Sequence, residues 1–232
     1  MNMKIDIWSD FVCPFCYIGK RHLEEALGDR EDVEVVFHSF ELDPNGAIKH
    51  DEDIHQLIAT KYGISYEQSK ANNDSIGQTA AAAGLTYDFD NMKNTNSFTI
   101  HRLAQFAKEI GKGNEFVEAG MHAYFTDGAF LNDEETLVAI ATSVGLDEKR
   151  TREIIHSQEY LAPVRVDETK AMELGIQGVP FFLIDDQYAV SGAQPVSAFE
   201  NILAQVDAKN ATSQQTLVTE DGANCKDDSC TI

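Results

Sequence analysis

The chain opens with a short strand-like run at residues 4–8 and passes into a helical stretch at residues 14–27 that stops at Gly28-Asp29. A second run at residues 33–40 is rich in Val and Phe and predicts another strand. Two strands joined by a helix predict a parallel βαβ unit. From residue 51 to about residue 162 the pattern turns helical throughout. Ser65 and Gln68 are spaced as a capping box, leading toward Gly84. Phe98, Leu103, Phe106, Ala107 and Ile110 form an apolar stripe that ends at Gly111. Asn132 followed by Asp133, Glu134 and Glu135 marks a further helix start, with Gly145 at its end, and Asp147 is placed to cap the next helix.

Another helix is predicted over residues 164–174, then two short strands at 179–185 and 188–191, joined by an Asp185-Asp186-Gln187 turn. Residues 196–206 read as a last helix, with Ser197 and Glu200 at capping-box spacing. The final 25 residues are polar and read as a flexible acidic tail. The expected architecture is therefore α/β: a βαβ…ββα domain from residues 1–50 and 163–207, interrupted by an all-α insertion at 51–162 and followed by a tail at 208–232.

Composition narrows the function classes. At 232 residues and 43% hydrophobic content the chain can bury a core. A formal net charge of −21 makes nucleic acid or an anionic membrane a poor partner for the whole chain. No apolar run is long enough for a signal peptide or a membrane span, so a cytoplasmic location is expected. In a reducing compartment, close cysteine pairs point to catalysis or metal binding rather than to structural cross-links. The four cysteines form two such pairs, Cys13/Cys16 and Cys225/Cys230, with none between.

The first pair carries the chemistry. Cys13-Pro14-Phe15-Cys16 follows a strand and opens a helix. A helix N-terminus carries about half a positive charge, which favours thiolate over thiol. Spacing i, i+3 puts both sulfurs on one side of the first turn, within disulfide reach. Pro14 suits the first helical position, where its missing N–H costs nothing. These residues are placed to make and break a disulfide. Cys13 is expected as the exposed nucleophile and Cys16 as the buried resolving thiol. Neither Pro14 nor Phe15 supplies a cation, so the helix N–H groups must stabilise the thiolate.

Residues 8–20, from Trp8 to Lys20, resemble the FrnE-like branch of DsbA-like oxidoreductases, which have a thioredoxin fold. So do Phe40-Glu41-Leu42-Asp43-Pro44, Gly178-Val179-Pro180-Phe181-Phe182 and Ser191-Gly192-Ala193-Gln194, and the resemblance covers residues 3–206. It implies a thiol–disulfide oxidoreductase or dithiol-disulfide isomerase. It also implies that Pro180 is cis beside the cysteines, with the Val179 backbone offered to an extended substrate segment. Some family members carry a buried acid where this chain has Ile7. The proton acceptor is then open. Asp10 and Glu41 are candidates that read more simply as a solvated loop acid or a cap, and His38 reads as a satisfied structural histidine.

Cys225-Lys-Asp-Asp-Ser-Cys230 admits two readings: a second redox pair that exchanges electrons with Cys13/Cys16, or two incidental thiols. An extended tail of about 20 residues spans up to about 65 Å, enough to reach Cys13. Asp227 and Asp228 would raise the thiol pKa values and slow attack on outside disulfides. A four-cysteine zinc site is a third arrangement of the same residues. No HExxH spacing, Walker motif or dinucleotide fingerprint occurs, so no metal or cofactor is expected. The expected partners are protein thiols and disulfides, with a small thiol or a thioredoxin-type reductant; monomer and homodimer are both open. Two other functions share the pattern. Kappa-type glutathione transferases and chromene-carboxylate isomerases also have a helical insertion, but typically carry serine at the position of Cys13. A redox-sensing, chaperone-like module would bind unfolded chains without using its thiols.

Overall fold

A computed structural model describes residues 3–220. Among them, a four-stranded mixed sheet is combined with nine helices. Strand β1 (Met3–Ser9) leads into helix α1 (Pro14–Leu27) and strand β2 (Val33–Ser39), the expected parallel βαβ unit, with Ile5 opposite Val35 and Ser9 opposite Ser39. Strands β3 (Phe181–Ile184) and β4 (Tyr188–Ser191) form an antiparallel hairpin, and β3 runs antiparallel to β1. The order β2-β1-β3-β4 puts β1 inside the sheet, so its C-terminal end, and the cysteines after it, are held from both sides. Asp185 and Asp186 take positive φ at the hairpin turn (49° and 55°), which Asp tolerates better than bulkier residues.

Between β2 and β3 the chain is helical: α2 (Ile54–Tyr62), α3 (Tyr66–Ala82), α4 (Phe98–Glu109), α5 (Gly113–Phe125), α6 (Glu134–Ser143), α7 (Glu148–Ile155) and α8 (Leu161–Glu173). Local chemistry sets several starts. Ser65 and Gln68 close the expected capping box on α3, while the carboxylates of Asp133 and Asp147 accept from the backbone N–H of Thr136 and Arg150. Such caps are worth about 1 kcal/mol each. The C-terminal end of α7 is satisfied from outside. The buried guanidinium of Arg102 on α4 donates to the carbonyls of Ile154, Ile155, Ser157 and Glu159.

Three apolar clusters meet at the sheet. On one face Ile5, Ile7, Phe182 and Ile184 pack against Leu23 of α1 and against Phe199, Leu203 and Val206 of the last helix, α9 (Val196–Glu220). On the other face Trp8 packs with Ala171 and Ile176. The third and largest cluster joins the cysteine segment to the helices. Phe11, Cys13, Cys16, Tyr17 and Ile18 share it with Ile100, Leu103, Phe116, Tyr124 and Phe125. The helical region is therefore the wall against which the cysteine loop is built.

The structure corrects several expected boundaries. Strand β3 begins after Pro180 and not at Val179. Helix α9 begins at Val196, so Ser197 lies inside it and not at its cap. The same helix continues to Glu220 and so takes in residues 208–220, which the sequence assigns to the tail. No Pro or Gly occurs between Val196 and Asp221, so polar composition alone did not end the helix. Helical residues advance about 1.5 Å each, under half the extended rise, so the reach assumed for an extended tail does not apply to them. Cys225 and Cys230 lie outside the described residues.

Candidate active site

Cys13 is the N-cap of α1, with extended φ and ψ of −92° and 113°, and Pro14 occupies the first helical position. The Cys13 N–H donates to the Asp10 carbonyl at 3.2 Å, and the Cys16 N–H to the Cys13 carbonyl at 3.0 Å. Both cysteines are free thiols. Cys13 is only 4% exposed, which corrects the expectation of an exposed nucleophile: the β1 end, the insertion helices and the Val179 loop close over it. Phe15, at 45%, is the exposed member of the tetrapeptide.

Val179 and Pro180 meet the cysteines from across the sheet. The bond between them is cis. The Cys13 thiol donates to the Val179 carbonyl at 3.6 Å, across 166 residues of sequence. Pro180 is buried and lies along α1 at Gly19, where an added Cβ would come within 3.1 Å of the proline ring. The structure thus brings Cys13, Cys16, Pro14, Val179 and Pro180 together, with Phe15 at the surface beside them. Tyr87 braces the first turn, its hydroxyl donating to the Pro14 carbonyl at 2.7 Å.

The electrostatics separate the groups. Burial pushes the Cys16 thiol well above the usual thiol range, and neighbouring Cys13 pushes it further. The Ser9 hydroxyl and the Asp10 backbone act in the opposite sense. No acidic residue lies in the first turn of α1, so nothing there cancels its N-terminal positive end. One turn on, Glu118 of α5 joins Tyr17, Lys20 and Arg21. Burial raises the Glu118 carboxyl, but these partners outweigh it and hold it below its ordinary value.

Asp10 and Glu41, which read from the sequence as a solvated loop acid or a cap, are both buried. Asp10 is 1% exposed, and its carboxylate accepts from the Leu42 N–H at 2.8 Å and lies 3.3 Å from His101 Nε2. Glu41 pairs with Arg165 at 2.7 Å through one oxygen, while the other is buried without a partner. Both acids are covered because the loops after β1 and β2 tuck beneath α4 and α8. His101 was not singled out from the sequence. The available signal was a polar His101-Arg102 pair between Ile100 and Leu103, inside an apolar stripe.

His38 is held on both ring nitrogens, 2.6 Å from Asp6 and 2.7 Å from Asp167, and Trp8 stacks on its ring at 4.6 Å. Burial raises both carboxyls, but His38 outweighs burial at each, with help from Lys4 at Asp6, so both sit below the usual carboxylate range. This is a bonded structural brace between the sheet and α8. Among the described residues no three His, Cys, Asp or Glu side chains are grouped to hold a metal ion, and no described helix is long and apolar enough to cross a membrane. A four-cysteine site would need Cys225 and Cys230.

Comparison with known proteins gives a consistent picture. The profile of the DSBA-like thioredoxin domain family matches residues 4–204. The crystal structure of a probable DsbA oxidoreductase from Streptomyces coelicolor superposes with a TM-score of 0.84 at 41% identity, covering 88% of this chain and 89% of that one. Uncharacterized protein YwbO of Bacillus subtilis is 29% identical over 214 residues, 90% of this chain and 100% of its own length. A 2-hydroxychromene-2-carboxylate isomerase of Sphingobium xenophagum is 24% identical over 191 residues, 81% of this chain and 91% of its own length.

Proposed function

This chain belongs to the DSBA-like thioredoxin family, and from that premise we propose that it is a thiol–disulfide oxidoreductase acting on protein disulfides. The observation that carries the reading is the pair of free thiols on the first turn of α1, with the Cys13 sulfur against the Val179 carbonyl at 3.6 Å. In the proposed cycle Cys13 thiolate attacks one sulfur of a substrate disulfide. A Cys13–substrate disulfide forms and the other substrate sulfur leaves as thiolate. Cys16 then loses its proton and attacks the Cys13 sulfur. The Cys13–Cys16 bond forms, the substrate leaves as a second thiol, and the enzyme is oxidised by two electrons. A small thiol or a thioredoxin-type reductant restores the dithiol. Run backwards, the same steps oxidise a substrate, and attack followed by escape without resolution isomerises one.

The other residues take supporting roles in this proposal. The N–H groups at the start of α1 stabilise the Cys13 thiolate. The Val179 backbone pairs with an extended substrate segment, Pro180 lines the same face, and half-exposed Phe15 offers apolar contact. Buried Cys13 is reached when that segment replaces its contact with the Val179 carbonyl. The division into a thioredoxin-like unit and a helical insertion, and a cytoplasmic location, belong to the same proposal. So does Cys225/Cys230 as a second redox pair: replacing both by serine is expected to alter the turnover or redox state of Cys13/Cys16, and identical kinetics and potentials would remove the tail from the cycle.

A second reading is favoured by the chromene-carboxylate isomerase relative: a glutathione-dependent isomerase or transferase on the same fold. A single assay set separates the two. The proposal expects Cys13→Ser to abolish insulin reduction and Cys16→Ser to accumulate mixed disulfides. Full insulin reduction by Cys13→Ser, or glutathione-dependent turnover of a chromene carboxylate, would favour the alternative.

A further inference from the structure

The sheet face covered by α1 and α9 stays partly open toward the β2 edge. Ile7, Val35 and Phe37, with Leu23 of α1, line a cavity of about 920 Å³ there. Val35 and Phe37 are only half-buried. The opposite wall comes from α5 and α6 and presents Ala119, Ala123, Ala139 and Ile140. Alanines at three of these positions leave room that larger side chains would fill. A polar strut sets the gap between the helices: Glu118 of α5 accepts from Tyr17, Lys20 and Arg21 of α1. The lining includes none of Cys13, Cys16, Val179 and Pro180, so the cavity is separate from the candidate active site.

Cavities that take small organic molecules measure roughly 300–1,000 Å³ and have mostly apolar walls, with a few polar groups that orient the ligand. The charges here say what those groups select. Four carboxylates line the cavity, Glu24, Glu115, Glu118 and Asp127, against two fixed cations, Lys20 and Arg21. Both cations are already engaged, since each bridges Glu24 and Glu118. The Lys20 side chain is also only 7% exposed, so turning it toward an incoming anion would strip a partner from a part-buried cluster. Glu115 meets Lys112 at 3.1 Å, but both are about half exposed, and such a pair holds weakly. Asp127 meets an imidazole, that of His122 at 3.3 Å, and no fixed cation among the described residues. The surplus charge is therefore negative. Glu115 in the first turn of α5 and Asp127 just past its end are about 18 Å apart at 1.5 Å per residue, so the surplus lies at the two ends of an elongated site.

We propose that this cavity is a binding site for an amphipathic organic cation, with an elongated apolar body lying on Val35 and Phe37 and an ammonium or guanidinium group at Asp127. Covering the half-buried floor drives association, because apolar surface leaves water. Charge then decides between ligands of equal shape. A cation gains the attraction of the unmatched carboxylates, a neutral molecule forgoes it, and an anion meets repulsion from them. The site holds no thiol, and its occupant takes no part in the disulfide cycle proposed above.

Calorimetric titration of the full chain at low ionic strength tests this, with decyltrimethylammonium and decanoate as probes, each kept below its micelle concentration. The cation should bind at one site per chain. Decanoate should bind about tenfold more weakly, the sum of one attraction lost and one repulsion gained at an exposed carboxylate. Asp127→Asn should narrow that difference to about threefold, and added salt should narrow it in the wild type. Ala119→Trp should fill the cavity and abolish cation binding. Ala139→Trp, on an exposed position of the same wall, should weaken it as well and keeps the test valid if the first variant does not fold. Equal affinity for the two probes would overturn the proposal, as would the absence of saturable cation binding. Cation binding that persists unchanged in folded Ala119→Trp or in Ala139→Trp would place the probe elsewhere and overturn it too.

Discussion

Gly19→Ala sets two opposed effects against each other at the candidate active site. Gly19 lies inside α1, where Gly costs about 0.8–1 kcal/mol relative to Ala. Helix propensity alone therefore predicts a more stable protein. The space around it predicts the reverse. A Cβ there would meet the Phe182 ring at 3.1 Å, the Pro180 ring at 3.1 Å and the Ala193 backbone at 3.4 Å. None of these can yield easily: Phe182 is fully buried and packed edge-on against Phe199 at 4.9 Å, and the Pro180 ring is rigid. Overpacking of this kind costs about 1–3 kcal/mol. The net expectation is a loss of about 1 kcal/mol, or roughly 2–4 °C in Tm for a domain of this size. Relief of the clash moves Pro180, and Val179 with it, relative to Cys13. If about 1 kcal/mol of this misfit appears in the transition state, kcat/KM for disulfide reduction falls roughly fivefold. The matched control is Gly77→Ala in α3, whose Cβ would meet only Phe89, at 3.9 Å; it should gain up to about 1 kcal/mol and leave turnover alone. Thermal melts and insulin-reduction assays on both variants decide. A rise in Tm for Gly19→Ala equal to that for Gly77→Ala, with normal turnover, would refute the packing argument.

Two further expectations come from the brace and the first turn. His38→Ala strips the partner from two buried carboxylates, Asp6 and Asp167, and should cost about 3–5 kcal/mol in urea unfolding. Because both acids are held below the ordinary Asp range, their contribution is fully present above about pH 4 and is lost as pH falls through their lower folded values. Wild-type stability should therefore drop in acid, and His38→Ala should drop less, as urea midpoints between about pH 5 and pH 3 will show. Tyr87→Phe removes the hydrogen bond to the Pro14 carbonyl and should cost about 1 kcal/mol by the same measurement.

The parts that rest on local chemistry were legible in the sequence. Pro14 and Gly28 bracket α1, Ser65 and Gln68 open α3, and Asp147 opens α7, because each feature satisfies backbone groups within a few residues of itself. The placement of Val179 and Pro180 beside Cys13 is a contact across the sheet and came only through the resemblance. Burial was the hardest property to read. Asp10 and Glu41 sit in loop sequence that favours a solvated reading, and only the packing of α4 and α8 over those loops covers them. His101 was hidden for a related reason: an apolar stripe announces a buried face, but not which polar residue on it finds a carboxylate. The C-terminal bound of α9 was hard to place for another reason, since a polar segment without Pro or Gly carries no signal that stops a helix already begun.

The central claim is that Cys13 and Cys16 cycle between dithiol and disulfide. A redox titration of the wild type in glutathione buffers, with mass spectrometry of each cysteine pair, tests it most directly. The account predicts a two-electron transition at Cys13/Cys16, with a midpoint between about −270 and −120 mV, the span of the superfamily. A Cys13/Cys16 pair that stays as two thiols across that whole range would contradict it.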